Sequence, residues 1–170
     1  EDAAILDSVA RRFSTKPQDV MPALVKQGDE LSEARRALKK HTEALFTYKA
    51  RELYEAAPKA GKTAVVVYLG EELAAAELGL LGEKICALGS AVVLLMSENG
   101  TQLAYRLARS GDVMAGMREL CAAVNAATGG KGGGWEDSAQ GSAPARADAQ
   151  EIRAQLEAYI VKWMHGMKSR

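Results

Sequence analysis

Apolar positions recur with a helical period in the first third of this chain and in strand-like runs after it, and that change divides the sequence. Between Asp2 and Phe13, the side chains of Ile5, Leu6, Val9 and Phe13 share one helical face. Ser14 to Asp19, with Pro17 inside it, breaks the pattern. Pro22 then suits the first turn of a new helix, where its missing N–H costs nothing. From there to Ala57 no proline or strand-like run intervenes, and only Gly28 weakens the helix. Leu24, Leu31, Leu38 and Leu45 recur every seven residues, with Gln27, Ala34, His41 and Tyr48 as the other half of the seam. A heptad of this kind predicts a half-polar coiled-coil seam along the four leucines, within the chain or between two copies of it. At 1.5 Å per residue such a helix is roughly 50 Å long. It has to pair with the preceding helix, a second copy of the chain, or a further domain.

Pro58-Lys59-Ala60-Gly61 ends the helix, so the expected division is a helical arm over 1–58 and a globular domain over 59–170. Thr63 to Leu69 is a β-branched run suited to a buried strand. Glu71 to Ala87 predicts a helix with Leu73, Leu80, Leu81 and Ile85 turned inward, and Ala91 to Met96 a second buried strand. Asn99-Gly100 signals a two-residue hairpin. The strand Thr101 to Arg109 follows, with Leu103, Tyr105 and Leu107 on one face and Arg106 on the other. Asp112 is a candidate cap for a helix carrying Val113, Met117, Leu120 and Val124. Asp148 and Glu151 form an acidic version of the capping box before a last helix with Ile152, Leu156, Ile160 and Trp163 inward, and the tail after His165 is expected to fray. The order predicts an α/β fold, a long helical arm followed by a small mixed sheet packed with helices.

Composition narrows the functions this fold can serve. Net charge is zero, with 22 basic and 22 acidic residues. That argues against a domain that coats nucleic acid non-specifically through many phosphate contacts, and leaves room for one local patch. The longest apolar stretches, such as Ala91 to Met96, are far too short to cross a bilayer, so no membrane role is expected. Cys86 and Cys121 lack CxxC or CxxH spacing and read as buried thiols of a reducing compartment. The chain opens at Glu1 rather than Met, which suggests a piece of a longer protein.

One segment stands apart. Gly129 to Gly141 contains five glycines in its first six residues, a run that cannot fill a core. Two readings are open: a flexible connector, or consecutive turns whose exposed N–H groups make an anion-binding concavity with Lys131 beside it. It is not a Walker A loop, because Gly132 rather than Ser or Thr follows Lys131. Gly61-Lys62-Thr63 is a decoy, since the strand follows it instead of preceding it.

Lys131, Gly132 to Gly134, Asp137, Ala139, Gln140 and Gly141 closely resemble the signature of the DHH-associated domain at the C-terminus of alanyl-tRNA synthetases and long-form AlaX editing proteins. Leu103 through Arg109-Ser110 to Val124 is similar to the strand and helix that lead into this loop in the editing branch. With the helical arm, the resemblance covers essentially the whole chain. Trp135 stands where the synthetases usually carry arginine, and Ser142 replaces a further glycine. Related phosphodiesterases have Gly-Gly-Gly-His here, and Trp135 argues against that activity.

The resemblance implies a tRNA-binding, dimerising, cytoplasmic module of an enzyme that hydrolyses mischarged Ser- or Gly-tRNA(Ala), docking on the tRNA elbow. Implied contacts are Lys131, Gly132, Gly133, Gly134, Trp135, Gln140 and Gly141, with Arg106 and Arg109 as phosphate partners. For Trp135 the alternative is a lid on the core edge; for the arginines it is a solvated strand face. The family's zinc site, built from HxxxH and CxxxH motifs, has no counterpart here. His41 falls on the heptad seam, His165 lies near the end, and neither cysteine has a histidine four residues on. No catalytic residue, metal ligand or cofactor is therefore assigned to this chain, and zinc is expected in a domain upstream of Glu1. A structural module of alanyl-tRNA synthetase, acting mainly in dimerisation, is the other parent that the resemblance allows.

Overall fold

A computed structural model describes residues 2–167. Its centre is a six-stranded mixed sheet in the order β1-β2-β3-β4-β6-β5. The strands are β1 (Lys59–Ala60), β2 (Thr63–Glu71), β3 (Ala91–Asn99), β4 (Gln102–Arg109), β5 (Lys131–Gly134) and β6 (Ser138–Pro144). β2 and β3 run parallel and every other neighbouring pair is antiparallel. The helices are α1 (Asp2–Arg12), α2 (Val20–Ala56), α3 (Ala75–Cys86), α4 (Met117–Thr128) and α5 (Ala149–Met167). The expected α/β class, a long helix followed by a sheet packed with helices, is what the chain adopts.

The chain divides into two compact units, Glu1–Ala44 and Leu45–Arg170. In the first, α1 and a 3₁₀ turn at Pro17–Asp19 lead into α2. Ala10 and Val20 are buried there, whereas Ile5 and Leu6 are exposed. Of the heptad leucines, Leu24, Leu31 and Leu38 lie in this unit, and all four are exposed, at 41%, 51%, 68% and 65% in chain order.

The second unit contains the last turns of α2, because Phe46 and Ala50 bury themselves against the sheet. Strand side chains alternate between faces, so the sheet supports two cores. On one face Val92, Leu94 and Met96 of β3 with Leu103, Tyr105 and Leu107 of β4 meet Met117, Leu120 and Val124 of α4 and Ile152, Leu156 and Ile160 of α5. On the other face Ala91, Val93 and Leu95 meet Phe46 and Ala50 of α2 and Leu78, Leu81 and Ile85 of α3. Residues 91–96 of β3 are fully buried, the signature of a strand covered on both sides. At about 1.5–3 kcal/mol per large apolar side chain, β3 anchors the fold.

Several local expectations shift. The first helix after β2 starts at Ala75 rather than Glu71, since β2 continues through Glu71 and Glu72 turns with φ 55°. Leu73 is therefore outside the helix, its N–H donating to Ser97 Oγ at 2.8 Å, and Leu78 takes the buried place. The β3–β4 loop is Gly100-Thr101, because Asn99 pairs with Gln102. Only Gly100 has positive φ there, as a turn of the II′ type requires. Asp112 does not cap α4, which begins after Gly116; its carboxylate instead accepts from Ser90 Oγ. That bond and one from Ser110 hold its pKa below the usual carboxylate range. Asp148 stands just before α5, but its carboxylate takes a bidentate pair from Arg146 at 2.8 and 2.9 Å, and Glu151 accepts from Gln155. Met164 is buried in the place predicted for Trp163, and Trp163 is half-buried. α5 runs past His165 to Met167, and the rest of the tail expected to fray lies outside the described residues.

Candidate nucleic-acid interface

The glycine-rich segment is neither a connector nor a nest of turns. It is a β-hairpin, β5 pairing with β6 from Lys131↔Ser142 to Gly134↔Ala139. The hairpin closes through Trp135 N–H donating to Ser138 O at 2.7 Å. Gly132, Gly133 and Gly134 all lack positive φ, so the alternation of handedness that makes an amide nest is absent. Glycine is needed here for proximity. A Cβ on Gly132 would stand 2.5 Å from Gly141 Cα, and one on Gly134 2.4 Å from Ala139 Cα. At Gly133 a Cβ would meet nothing within 4 Å.

The register decides which side chains share a face. Residues directly opposite each other across antiparallel strands project from the same side. Ala104, Ser142 and Lys131 therefore form one row across β4, β6 and β5. Arg106, Gln140 and Gly133 form the next, and Ala108 and Ser138 with Trp135 at the hairpin end form the third. Successive rows are about 6.8 Å apart, two strand residues. This face is the one that α3 covers farther in. The core beneath α3 includes no residue of β5 or β6, which leaves the outer two strands open there.

Arg106 dominates the open face. Its Nη1 donates to Gln140 Oε1 at 3.1 Å, and its stem lies beside α3, where a Cβ on Gly79 would stand 3.6 Å from Arg106 Nε. Two hollows flank this bond. One of about 360 Å³ is lined by Arg106, Gln140, Lys131 and Ser142 and by Ala75 and Leu78 of α3. The other, of about 230 Å³, is lined by Arg106, Gln140, Trp135, Ser138 and the backbone of Gly133 and Gly134. Among the described residues, Arg106 and Lys131 have no carboxylate at ion-pair distance. Trp135 is 80% exposed, so it does not cover the edge of the core.

Of the residues singled out in the sequence, Lys131, Gly132, Gly133, Gly134, Trp135, Gln140, Gly141 and Arg106 line these hollows. Arg109 does not. It shares the parity of Leu103 to Leu107 and so projects from the opposite face of β4. Its guanidinium donates to Val113 O and to Glu136 O, tying the loop before α4 to the hairpin tip. Met117 N–H also donates to Glu136 O.

Sequence reasoning passed over Asn125, the link between α4 and β5. Tyr105 Oη donates to its Oδ1, and its Nδ2 donates to Gly132 O at 3.1 Å. Gly141 lies flat on Tyr105, where a Cβ would come within 2.5 Å of the ring. Burial raises the Tyr105 pKa, so the hydroxyl stays a donor. An asparagine in a helix carries no signal of this role. Among the described residues no group of three or more His, Cys, Asp or Glu could hold a metal ion, and no helix is long and apolar enough to cross a membrane.

No protein-family model and no curated protein matches the sequence. Solved structures do. The C-Ala domain of Aquifex aeolicus alanyl-tRNA synthetase superposes with a TM-score of 0.54 at 23% identity, over 59% of this chain and 94% of that one. RecJ from Thermus thermophilus, in complex with Mg²⁺, gives a TM-score of 0.52 at 17% identity, over 86% of this chain and 21% of its own. At these identities the likeness establishes a shared fold.

Proposed function

We propose that this chain is a non-catalytic tRNA-binding module, with the open face of β4, β6 and β5 as its RNA surface. The observation that carries this reading is the pair of unneutralised cations, Arg106 and Lys131, set over a glycine floor beside an exposed indole. Such a face offers phosphate contacts and a stacking platform without bulky side chains in the way. The fold shared with a C-Ala domain favours tRNA among RNA partners, and the sequence signature favours tRNA(Ala), met at its elbow. The finer reading is a parent enzyme that hydrolyses Ser- or Gly-tRNA(Ala) at a zinc site outside this chain. Arg109 is withdrawn from the contact set, because both of its bonds go to backbone carbonyls.

With so few cations, affinity for tRNA(Ala) is expected to be micromolar or weaker, with a shallow salt dependence. Titration of the protein against labelled tRNA(Ala) at 50 mM salt tests it. No binding at about 100 µM, the weak end of non-specific affinity, rejects the reading.

The exposed seam of Leu24, Leu31, Leu38 and Leu45 favours a second role, pairing with another copy of the chain. Light scattering across concentration tests it: a mass that stays monomeric when Leu31 and Leu38 are native removes this role.

A further inference from the structure

The three rows of the open face hold more than a cationic patch. Lys131 and Trp135 stand two rows apart, about 13 Å along the hairpin, and Arg106 lies in the row between them. The Arg106–Gln140 bond separates the two hollows, which are 360 and 230 Å³ in volume and are floored by backbone. A double helix is too thick to enter either hollow. It would ride over the ridge, touching cations along one backbone only and leaving Trp135 without a base face to stack on. An unpaired strand fits all three rows: a base on the indole, a phosphate on the central guanidinium and the next unit beside Lys131. At about 3.4 Å per stacked nucleotide, the span accommodates about four nucleotides.

Resting on the tRNA-binding reading above, we propose that the groove takes an unpaired run of polynucleotide, and that Gln140 is the positioning residue that aims Arg106 at the phosphate between two bases. Gln140 is directly opposite Arg106 in the ladder, and its amide oxygen accepts from Nη1. A neutral acceptor holds the guanidinium in place without cancelling its charge. A carboxylate at the same position would do both, and this distinguishes positioning from simple support.

The test uses the full chain and three RNAs followed by fluorescence anisotropy: an unstructured twelve-nucleotide strand, the same strand annealed to its complement, and folded tRNA(Ala). The single strand is expected to bind at least about tenfold more tightly than the duplex. It is also expected to change the tryptophan emission of the native protein and not that of Trp135→Phe. Trp135→Ala is expected to weaken strand binding about 5- to 150-fold, the range for one base stack. Two phosphate contacts give a log–log salt slope of about −1.4 for a single strand, and Gln140→Glu is expected to halve it to about −0.7. Gln140→Ala should weaken binding with the slope kept. Duplex binding equal to or tighter than that of the strand overturns the inference, as does an unchanged slope in Gln140→Glu. If tRNA binds and the strand does not, the inference falls while the module reading survives. If no RNA binds, both fall.

Discussion

Alanine at Gly134 and alanine at Gly133 differ by one position in a run of identical residues, yet the structure gives them opposite outcomes. A Cβ at Gly134 would lie 2.3 Å from Ser138 O, 2.4 Å from Ala139 Cα and 2.8 Å from Ala139 Cβ. To reach ordinary contact, β5 and β6 must separate by about 1 Å. Forced overpacking of this kind costs about 1–3 kcal/mol. The same movement stretches the hairpin-closing bond from Trp135 N–H to Ser138 O, worth about 1 kcal/mol more. At Gly133 the added methyl meets nothing within 4 Å. It also removes freedom from the unfolded chain, which stabilises by about 0.4–1 kcal/mol where the conformation suits alanine. Urea unfolding of the two variants beside the native protein measures the difference. Gly134→Ala should lower the midpoint and Gly133→Ala hold or raise it, with hydrogen exchange at residues 138–144 faster only in the former. Equal midpoints for the two would refute the argument that the glycine run exists for close strand approach.

Further expectations follow from the same geometry. Arg106→Ala should flatten the salt dependence of RNA binding and leave stability nearly unchanged, whereas Arg109→Ala should cost about 1–2 kcal/mol in urea and leave the salt slope alone. Similar stability losses in both variants would contradict their assignment to opposite faces. Asn125→Ala strands the Tyr105 hydroxyl and should cost about 1–3 kcal/mol, read as a fall in Tm of several degrees. Asn125→Asp, which keeps the acceptor, should recover part of it. Burial, with Glu83 adding to it, pushes the Cys86 thiol from 9 up to about 11. Because the folded state resists ionising this thiol, its contribution to stability is present below pH 9 and is lost between pH 9 and about 11. Alkylation of the native protein at pH 8 should be slow at Cys86 and rapid in denaturant; fast native labelling contradicts the burial.

Much of the fold was legible because apolar alternation is a two-sided record of burial. Leu103, Tyr105 and Leu107 against Arg106 gave the two faces of β4 directly, and the unbroken run Ala91 to Met96 marked the central strand. The hairpin was not legible. A strand without side chains has no alternation to read, so Lys131 to Gly134 suggested turns although it pairs as β5. The caps misled for a related reason. Asp112 and Asp148 have the right chemistry for a helix start, but the carboxylate of Asp112 is bound by Ser90, which only the folded chain brings near, and that of Asp148 by Arg146, a local competitor two residues back. That Arg106, Gln140, Lys131 and Trp135 share one open face was not legible, because the side chains between them, Ala104, Ser138 and Ser142, are small or polar and indistinguishable from any solvent side. The division of Arg106 from Arg109 was implicit in their odd spacing, three residues on a two-residue period.

That same two-residue period makes the length of the glycine run more constrained than its composition. Remove one residue ahead of Lys131 and the hairpin can still close at Trp135, with its register intact. Remove one between Lys131 and Trp135, and the lysine changes parity, passing to the underside of the sheet against α4. Homologues should therefore tolerate substitutions at the unobstructed position far better than insertions or deletions of single residues, and changes of length should come in twos.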